Sequence, residues 1–431
     1  MTVLSADWVV PIEGPPIRNG AVAIENGRIA AVGAATELSG GERHPDAVIL
    51  PGFVNAHSHL EYAAYAGFGD GLDFPTWLGL HVERKGRINI EGMEAIARSG
   101  ALACLRSGIT TVGDASFSGA AATACSELGL RAIVYLEVFG ADTSVLENRF
   151  EPMRARVSDS LSDTVRLGIS PHAPYTCSLE LYRACAELGV PLATHLAESE
   201  AETEWVRSGA GPWEALAEFL VDPLGTTGIR ALAQEGLLRP NVLAAHCVQA
   251  DTEEIELLAA HDVAVAHCPR SNALLGCGIA PLTSLRDAGI RVCIATDSPA
   301  STPSFDMFEE LRVAVMTARA RERRPDALTA AEALELATLG GARALGLHAE
   351  IGSIAPGKQA DLTVLSLADS PFLPWEDPVT AAVLGGSPER VVATLVSGKT
   401  RYERGGKAWP DLTAGARSAR SRLLSHAAAT S

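Results

Sequence analysis

Residues 51–59 read Pro51-Gly52-Phe53-Val54-Asn55-Ala56-His57-Ser58-His59. A Pro-Gly break opens a short apolar run, and the run ends in two histidines one residue apart. Side chains alternate across a β-strand, so an i, i+2 pair presents both imidazoles to one face, where one cation can touch both. A solitary histidine is most often a hydrogen-bonded core or surface residue. The pair at the end of an apolar strand reads as part of a metal site.

Outward from this stretch, β-branched or apolar runs alternate with Ala/Leu/Glu-rich helical stretches, the pattern of βα units around a parallel sheet. Eight strand cores are expected, at Ile49–Ala56, Thr110–Asp114, Ala132–Val138, Arg166–Ser170, Pro191–His195, Val242–His246, Ala264–His267 and Arg291–Thr296. Helices are expected between them, for example at Met93–Arg106, Leu179–Leu188, Thr252–Ala260 and Leu282–Ala288. Eight such strands close a (β/α)8 barrel of the TIM type, whose functional groups sit at the carboxyl ends of the strands. Residues 51–354 are assigned to this barrel.

The chain ends do not follow that alternation. They carry short strand-like pieces, Gly20–Glu25, Arg28–Val32, Pro356 to Leu365 and Arg390–Gly398, around Asn-Gly and Gly turns. Residues 1–50 and 355–431 are therefore read as one small β-sandwich-like domain assembled from both termini. The tail after Pro410 is rich in Ala, Ser and Arg and is expected to be frayed or helical.

The net charge of −17, with no long run of like charges, excludes nucleic acid and anionic membrane as expected partners and leaves a small-molecule substrate. A homodimer stays open. The eight cysteines show no CxxC spacing and read as reduced thiols, and neither a secretory leader nor a long apolar span is visible. The expected location is the cytoplasm. Four of the eleven histidines (His44, His261, His348 and His426) are placed in loops or on helices in contact with solvent.

Three further polar residues fall directly after apolar strands, where a purely structural role would favour Val or Ile: His195 in Ala193-Thr194-His195, His246 in Ala244-Ala245-His246 and Asp297 in Ala295-Thr296-Asp297. Neutral imidazoles with one carboxylate suit a borderline divalent cation, Zn²⁺ or Fe²⁺, and leave a position open for water. The expected ligands are His57, His59, His195 and Asp297.

Taken together, the Pro-Gly-x-x-Asn-x-His-x-His stretch, the histidines ending strands five and six, the strand-eight aspartate and the later Ala360-Asp361-Leu362 resemble the amidohydrolase superfamily over nearly the whole chain. Two-metal members carry a carboxylated lysine at the end of strand four. No lysine lies between Lys85 and Lys358, so the resemblance implies a one-metal member. His195-x-x-Glu198, Ser170-Pro171-His172-Ala173-Pro174-Tyr175 and Ala266-His267-Cys268-Pro269-Arg270-Ser271-Asn272 resemble the deaminase and chlorohydrolase branch. This likeness implies Glu198 as proton shuttle and substrate contact, His246 as a polarising group beside the water, and His172 as a substrate contact. His267 is left between a supporting role and a loop-shaping one.

The groups themselves allow a mechanism. Asp297, a ligand next to the bound water, accepts its proton, and Glu198, expected one helical turn beyond His195, protonates the ring nitrogen under attack. Trp77, in Asp73-Phe74-Pro75-Thr76-Trp77-Leu78, is either part of a lid over the substrate or simply packed. His59-Leu60-Glu61 and Phe74–Leu78 resemble the aminodeoxyfutalosine deaminases of menaquinone biosynthesis, which implies conversion of a 6-aminopurine nucleoside to its 6-oxo form. Methylthioadenosine or S-adenosylhomocysteine deaminase is the second likeness, and guanine deaminases and triazine hydrolases stand further off. The second likeness implies a ribose-binding glutamate several residues beyond Trp77, for which Glu83 is roughly in register.

Overall fold

Gly52 marks the passage of the chain between two sheets. In this computed structural model, which describes residues 1–38, 40–371, 376–406 and 412–424, the strand Glu42–Pro51 lies in a sheet built from both chain ends and Phe53–Ser58 opens the barrel. The expected single strand Ile49–Ala56 is thereby corrected to two. The cause is local: the Gly52 amide donates to Asp361 O at 2.9 Å, and a Cβ at Gly52 would run into the Thr110 side chain.

The barrel strands are Phe53–Ser58, Ile109–Ser116, Arg131–Val138, Val165–Pro171, Leu192–Leu196, Val242–His246, Ala264–His267 and Arg291–Ile294, each parallel to the next in chain order. Almost every residue in them is buried, as a parallel sheet covered by helices requires. The first and last strands meet through a parallel bridge between Ser58 and Asp297. Asn55 joins the same seam, its amide nitrogen donating to Thr296 Oγ1 at 2.7 Å and its oxygen accepting from Thr296 N at 2.9 Å.

Helices start where a side chain can hold free backbone amides. Ser178, Ser199 and Thr227 each cap the helix that follows, and Asp251 with Glu254 forms a reciprocal capping box. The Ile90–Arg106, Leu179–Glu187, Thr252–Ala260 and Leu282–Asp287 helices lie where apolar periodicity places them.

The terminal strands form a second, mixed sheet in the order Lys399–Glu403, Val391–Val396, Leu362–Ser366, Glu42–Pro51, Thr2–Val9, Gly20–Glu25 and Arg28–Ala34, with Ile17–Arg18 paired to Thr2–Val9. A helix, Leu412–Leu424, follows. His44 lies buried on the Glu42–Pro51 strand, which corrects its expected contact with solvent. His348 is exposed and His261 partly so, while His426 lies outside the described residues. No helix among the described residues is long and apolar enough to cross a membrane.

The two sheets are tied by a buried ion pair. Arg131, on the third barrel strand, meets Asp361 at 2.9 Å, and Asp361 also accepts from Ser397 N at 2.7 Å. Removing one partner strands the other charge in a dry site, so Asp361→Asn or Arg131→Met is expected to lower unfolding stability by about 3–5 kcal/mol. Replacing both with apolar residues should cost less than either single change. Denaturant unfolding of the three variants tests this, and a single variant as stable as the parent would contradict it.

Candidate metal centre and its cavity

Four side chains from three strand ends converge inside the barrel. Ligand atoms of His57, His59, His195 and Asp297 all lie within 4.8 Å of one another, and all four residues are buried. Backbone geometry aims one of them and the neighbouring His246: Asp297 and His246 take φ of +59° and +75°, left-handed values that non-glycine residues seldom adopt. Such strain clusters at functional sites, because surrounding structure must hold it in place. At Asp297 the hold is visible, since its amide donates to His57 O at 3.0 Å across the barrel seam.

The imidazole tautomers are set by carbonyl oxygens. His59 Nδ1 donates to Ala115 O and His195 Nδ1 to His172 O, both at 2.9 Å. The proton of each neutral ring therefore sits on Nδ1, and the two Nε2 lone pairs face each other at 3.2 Å. Two lone pairs at that distance repel unless a cation lies between them. His57 Nε2 and His246 Nε2 are likewise buried without a hydrogen-bond partner. The donor set thus fits a divalent cation on the chemistry of its own atoms.

Electrostatics agree. Burial, reinforced by His57, pushes His59 down to about 3, and burial with the neighbouring His172 holds His195 well below the usual imidazole range. Burial works against the Asp297 carboxylate, yet the adjacent His57 and the surrounding imidazoles hold it well below the ordinary range. The second oxygen of Asp297 accepts from Ser271 Oγ at 2.6 Å and Ser301 Oγ at 2.7 Å, which leaves the first to face His57 and His59, each at 3.4 Å.

His246 stands beside this cluster, its Nδ1 bound to Asn272 Oδ1 at 3.0 Å and its Nε2 3.6 Å from a Glu198 oxygen. Burial raises the Glu198 carboxyl well above its usual range, and Asp297 and Glu202 add to the effect. Glu198 does not sit on a helical turn, which corrects the expectation: Ala197 turns at φ +52°, residues 197–199 form a loop, and the helix begins at Glu200. Glu202 takes the backbone amides, accepting from Ala197 N at 2.9 Å and Glu198 N at 2.7 Å.

A cavity of about 440 Å³ opens from the cluster, within the range of small-molecule sites. Glu198, His246 and Asp297 line its floor, with His172, whose Nδ1 pairs with Thr176 Oγ1 at 2.8 Å. Trp77 lines the wall from the Phe74–Lys85 helix, its Nε1 donating to Ala300 O at 3.2 Å. His267 is buried outside the cavity. Glu83 also misses it, since its side chain is 58% exposed and pairs with Arg87.

Sequence reasoning missed three cavity residues. His81 lies parallel to Trp77 at 5.6 Å, and its i, i+4 spacing from Trp77 on one helix was the available signal. Lys85 lies a further four residues on. Glu137, on the third barrel strand, had no signal beyond a carboxylate in an apolar run. Leu60 and Glu61, by contrast, do not line this cavity: both are wholly buried, and Glu61 accepts from Ser116 Oγ and from Ser118 N at 2.8 Å.

Comparison with known proteins agrees with this architecture. A 5-methylthioadenosine/S-adenosylhomocysteine deaminase of Moorella thermoacetica is 36% identical over 413 residues, covering 92% of this chain and 93% of that protein. An adenosine deaminase from Xanthomonas campestris, solved with bound zinc, superposes with a TM-score of 0.86 at 29% identity over 98% of both chains. Helicobacter pylori aminofutalosine deaminase, in complex with methylthio-coformycin, gives 0.80 at 25% identity over 93% of this chain and all of that one. Residues 48–401 match the amidohydrolase family. The chain belongs to that family and is a hydrolase acting on C–N bonds.

Proposed function

We propose that the chain is a metal-dependent hydrolytic deaminase of adenine nucleosides, which replaces the 6-amino group with a 6-oxo group and releases ammonia. The observation that carries this reading is a buried carboxyl, Glu198, whose ionisation burial opposes, beside a convergent three-imidazole, one-carboxylate cluster at the floor of an aromatic-walled cavity. His57, His59, His195 and Asp297 would hold one divalent ion, with Zn²⁺ or Fe²⁺ suited to such donors. Bound there, the ion supplies a water acidified from about 15.7 toward about 7.

The residues supply the proton traffic. Addition of water at C6 builds negative charge on the adjacent ring nitrogen unless a proton arrives there. Glu198, neutral through burial, donates that proton. Asp297, a carboxylate, accepts one proton from the water and passes it to the departing amine, which leaves as ammonia, while the proton of the hydroxyl added at C6 returns to Glu198 as the 6-oxo group forms. His246 keeps its Nε2 toward the attacking water because Asn272 holds Nδ1. His172 and Trp77 contact the purine from the floor and wall.

Among adenine nucleosides, 5′-substituted ones of the methylthioadenosine and S-adenosylhomocysteine type are the preferred substrates, supported by the Moorella relative that spans nearly the whole chain. Aminodeoxyfutalosine is the second reading. The Helicobacter pylori structure and the Phe117 and Phe139 rings in the cavity favour it.

Protein purified without chelator should carry close to one divalent metal per chain, and His195→Ala or Asp297→Ala should lower that content. Elemental analysis decides; two equivalents both required for turnover would refute the one-metal assignment. Glu198→Gln should retain the metal while turnover falls by about 10²-fold or more. Near-normal turnover in that variant would remove Glu198 from the reaction. Remote groups contribute binding energy to the reacting centre, so kcat/KM measured by ammonia release should be higher for methylthioadenosine or S-adenosylhomocysteine than for adenosine. Efficient deamination of guanine alone would refute the adenine assignment.

A further inference from the structure

The wall of the cavity is tied to the far end of the chain. Trp77 and His81 face the cavity from the Phe74–Lys85 helix, and the same two rings border a void of about 10 Å³, together with Tyr65, Phe68 and Arg84. Close packing ordinarily fixes a side chain, so a wall backed by empty space takes its position from its edges. One edge is the bond from Trp77 Nε1 to Ala300 O at 3.2 Å.

The other edge is the loop that leads into the helix, Ala66 to Asp73. Gly67 and Gly71 take φ of +81° and +78°, and a Cβ on either would meet nothing within 4 Å. Such a stretch is free to change conformation and does not by itself fix the helix that follows. Arg420, on the Leu412–Leu424 helix, supplies the missing hold: it donates through Nη1 to Ala64 O and through Nη2 to Ala66 O, the latter at 3.0 Å. No backbone amide among the described residues donates to either oxygen.

The contacts continue to the wall. The Arg420 guanidinium lies 4.9 Å from the Phe68 ring centroid, and Arg84 of the wall helix lies 3.9 Å from it. Phe68 packs on Tyr65 at 6.0 Å, and Tyr65 on His81 at 5.1 Å. The helix that carries Arg420 is itself well seated. Its Ala419 and Leu423 are wholly buried in the same apolar cluster as Tyr65, and a Cβ on Gly415 would stand 3.1 Å from that of Ala95.

We infer that Arg420 is a positioning residue for substrate binding: from the C-terminal helix it fixes the start of the glycine-bearing loop and, through Phe68 and Tyr65, the Trp77 and His81 wall. It belongs to neither the metal cluster nor the cavity lining. Its loss loosens the wall and leaves the reacting groups in place, so the penalty falls on KM and not on kcat. The effect on substrate rests on the deaminase reading, whereas the hold on the loop does not.

Hydrogen exchange followed by mass spectrometry, on the metal-loaded full chain, reads that hold directly. In Arg420→Met, peptides within residues 60–85 should exchange at least about tenfold faster, while those of the Leu192–Leu196 and Val242–His246 strands keep the parent rate. Arg420→Lys, which keeps a cationic donor without the planar fork, should recover part of the protection, and Arg417→Met, exposed on the same helix, should change nothing. In ammonia-release kinetics with adenosine, Arg420→Met should raise KM by about fivefold or more with kcat within about twofold of the parent. Melting temperature and metal content monitor folding. If Arg420→Met loses either, Phe68→Leu, which removes the ring that both guanidinium groups approach, decides in its place with the same expected pattern. Unchanged exchange in residues 60–85, faster exchange spread over the barrel strands, a Lys variant no better than the Met variant, or a loss carried by kcat with KM unchanged overturns the positioning role. If the parent releases no ammonia from adenosine or methylthioadenosine, the deaminase reading fails, and the exchange pattern alone keeps or removes the hold of Arg420 on the wall.

Discussion

The site depends on how the barrel closes. Seven of its seams run between strands adjacent in sequence, but the eighth must bring Asn55 of Phe53–Ser58 against Thr296, 241 residues later, and there regular pairing shrinks to the Ser58–Asp297 bridge. The Asn55 amide compensates by exchanging two hydrogen bonds with Thr296. A carboxamide can donate and accept at once, which an apolar side chain cannot. With that seam fixed, the His57 carbonyl meets the Asp297 amide, and the strand bearing two imidazoles is locked beside the strand bearing the carboxylate. Loosening the seam would move ligands relative to one another, and metal geometry tolerates little displacement.

A second constraint comes from Cys268-Pro269-Arg270-Ser271-Asn272, where consecutive residues face three ways. Arg270 is anchored in the helix layer, paired to Glu310 and to Glu309 at 2.7 Å. Ser271 holds one oxygen of Asp297, and Asn272 fixes the His246 tautomer. These outer contacts decide which atoms of Asp297 and His246 face the cavity. The short Pro269–Leu274 helix keeps Ser271 and Asn272 in rigid register with the arginine anchor, so the orientation of two site residues is set by packing some way behind them.

Much of this was legible in the sequence, for identifiable reasons. Val242–His246 and Ala264–His267 are short, fully buried strands between clear helices, and apolar runs report them directly. The histidine pair and the strand-end His195 and Asp297 stand out because polar residues are out of place there. Ile49–Ala56 misled because apolar character continues across Gly52, and nothing local shows that a sheet ends on one side of a glycine and another begins on the other. Lys85 and Glu137 were hidden because their relation is purely tertiary. Glu61 misled in the other direction, since it sits beside the histidine pair in sequence yet serves the start of the Ala120–Leu128 helix region through Ser118 N.

Glu198 and Glu202 show how environment, and not residue type, allots roles. Both carboxyls are buried, and burial raises both. Glu202 is partly relieved by backbone amides, which favour its charged form and bring it to about 7, and in accepting them it closes the turn after the fifth barrel strand. Those amides are the partners a carboxylate at residue 198 would otherwise take. With them occupied, Glu198 has only Asp297 and Glu202 as charged neighbours of note, both repelling its ionised form. Its protonated form is therefore favoured where it lines the cavity, the condition a general acid needs. The acid at residue 198, three residues after His195, and the structural carboxyl at residue 202 thus form one unit: the second makes the first available.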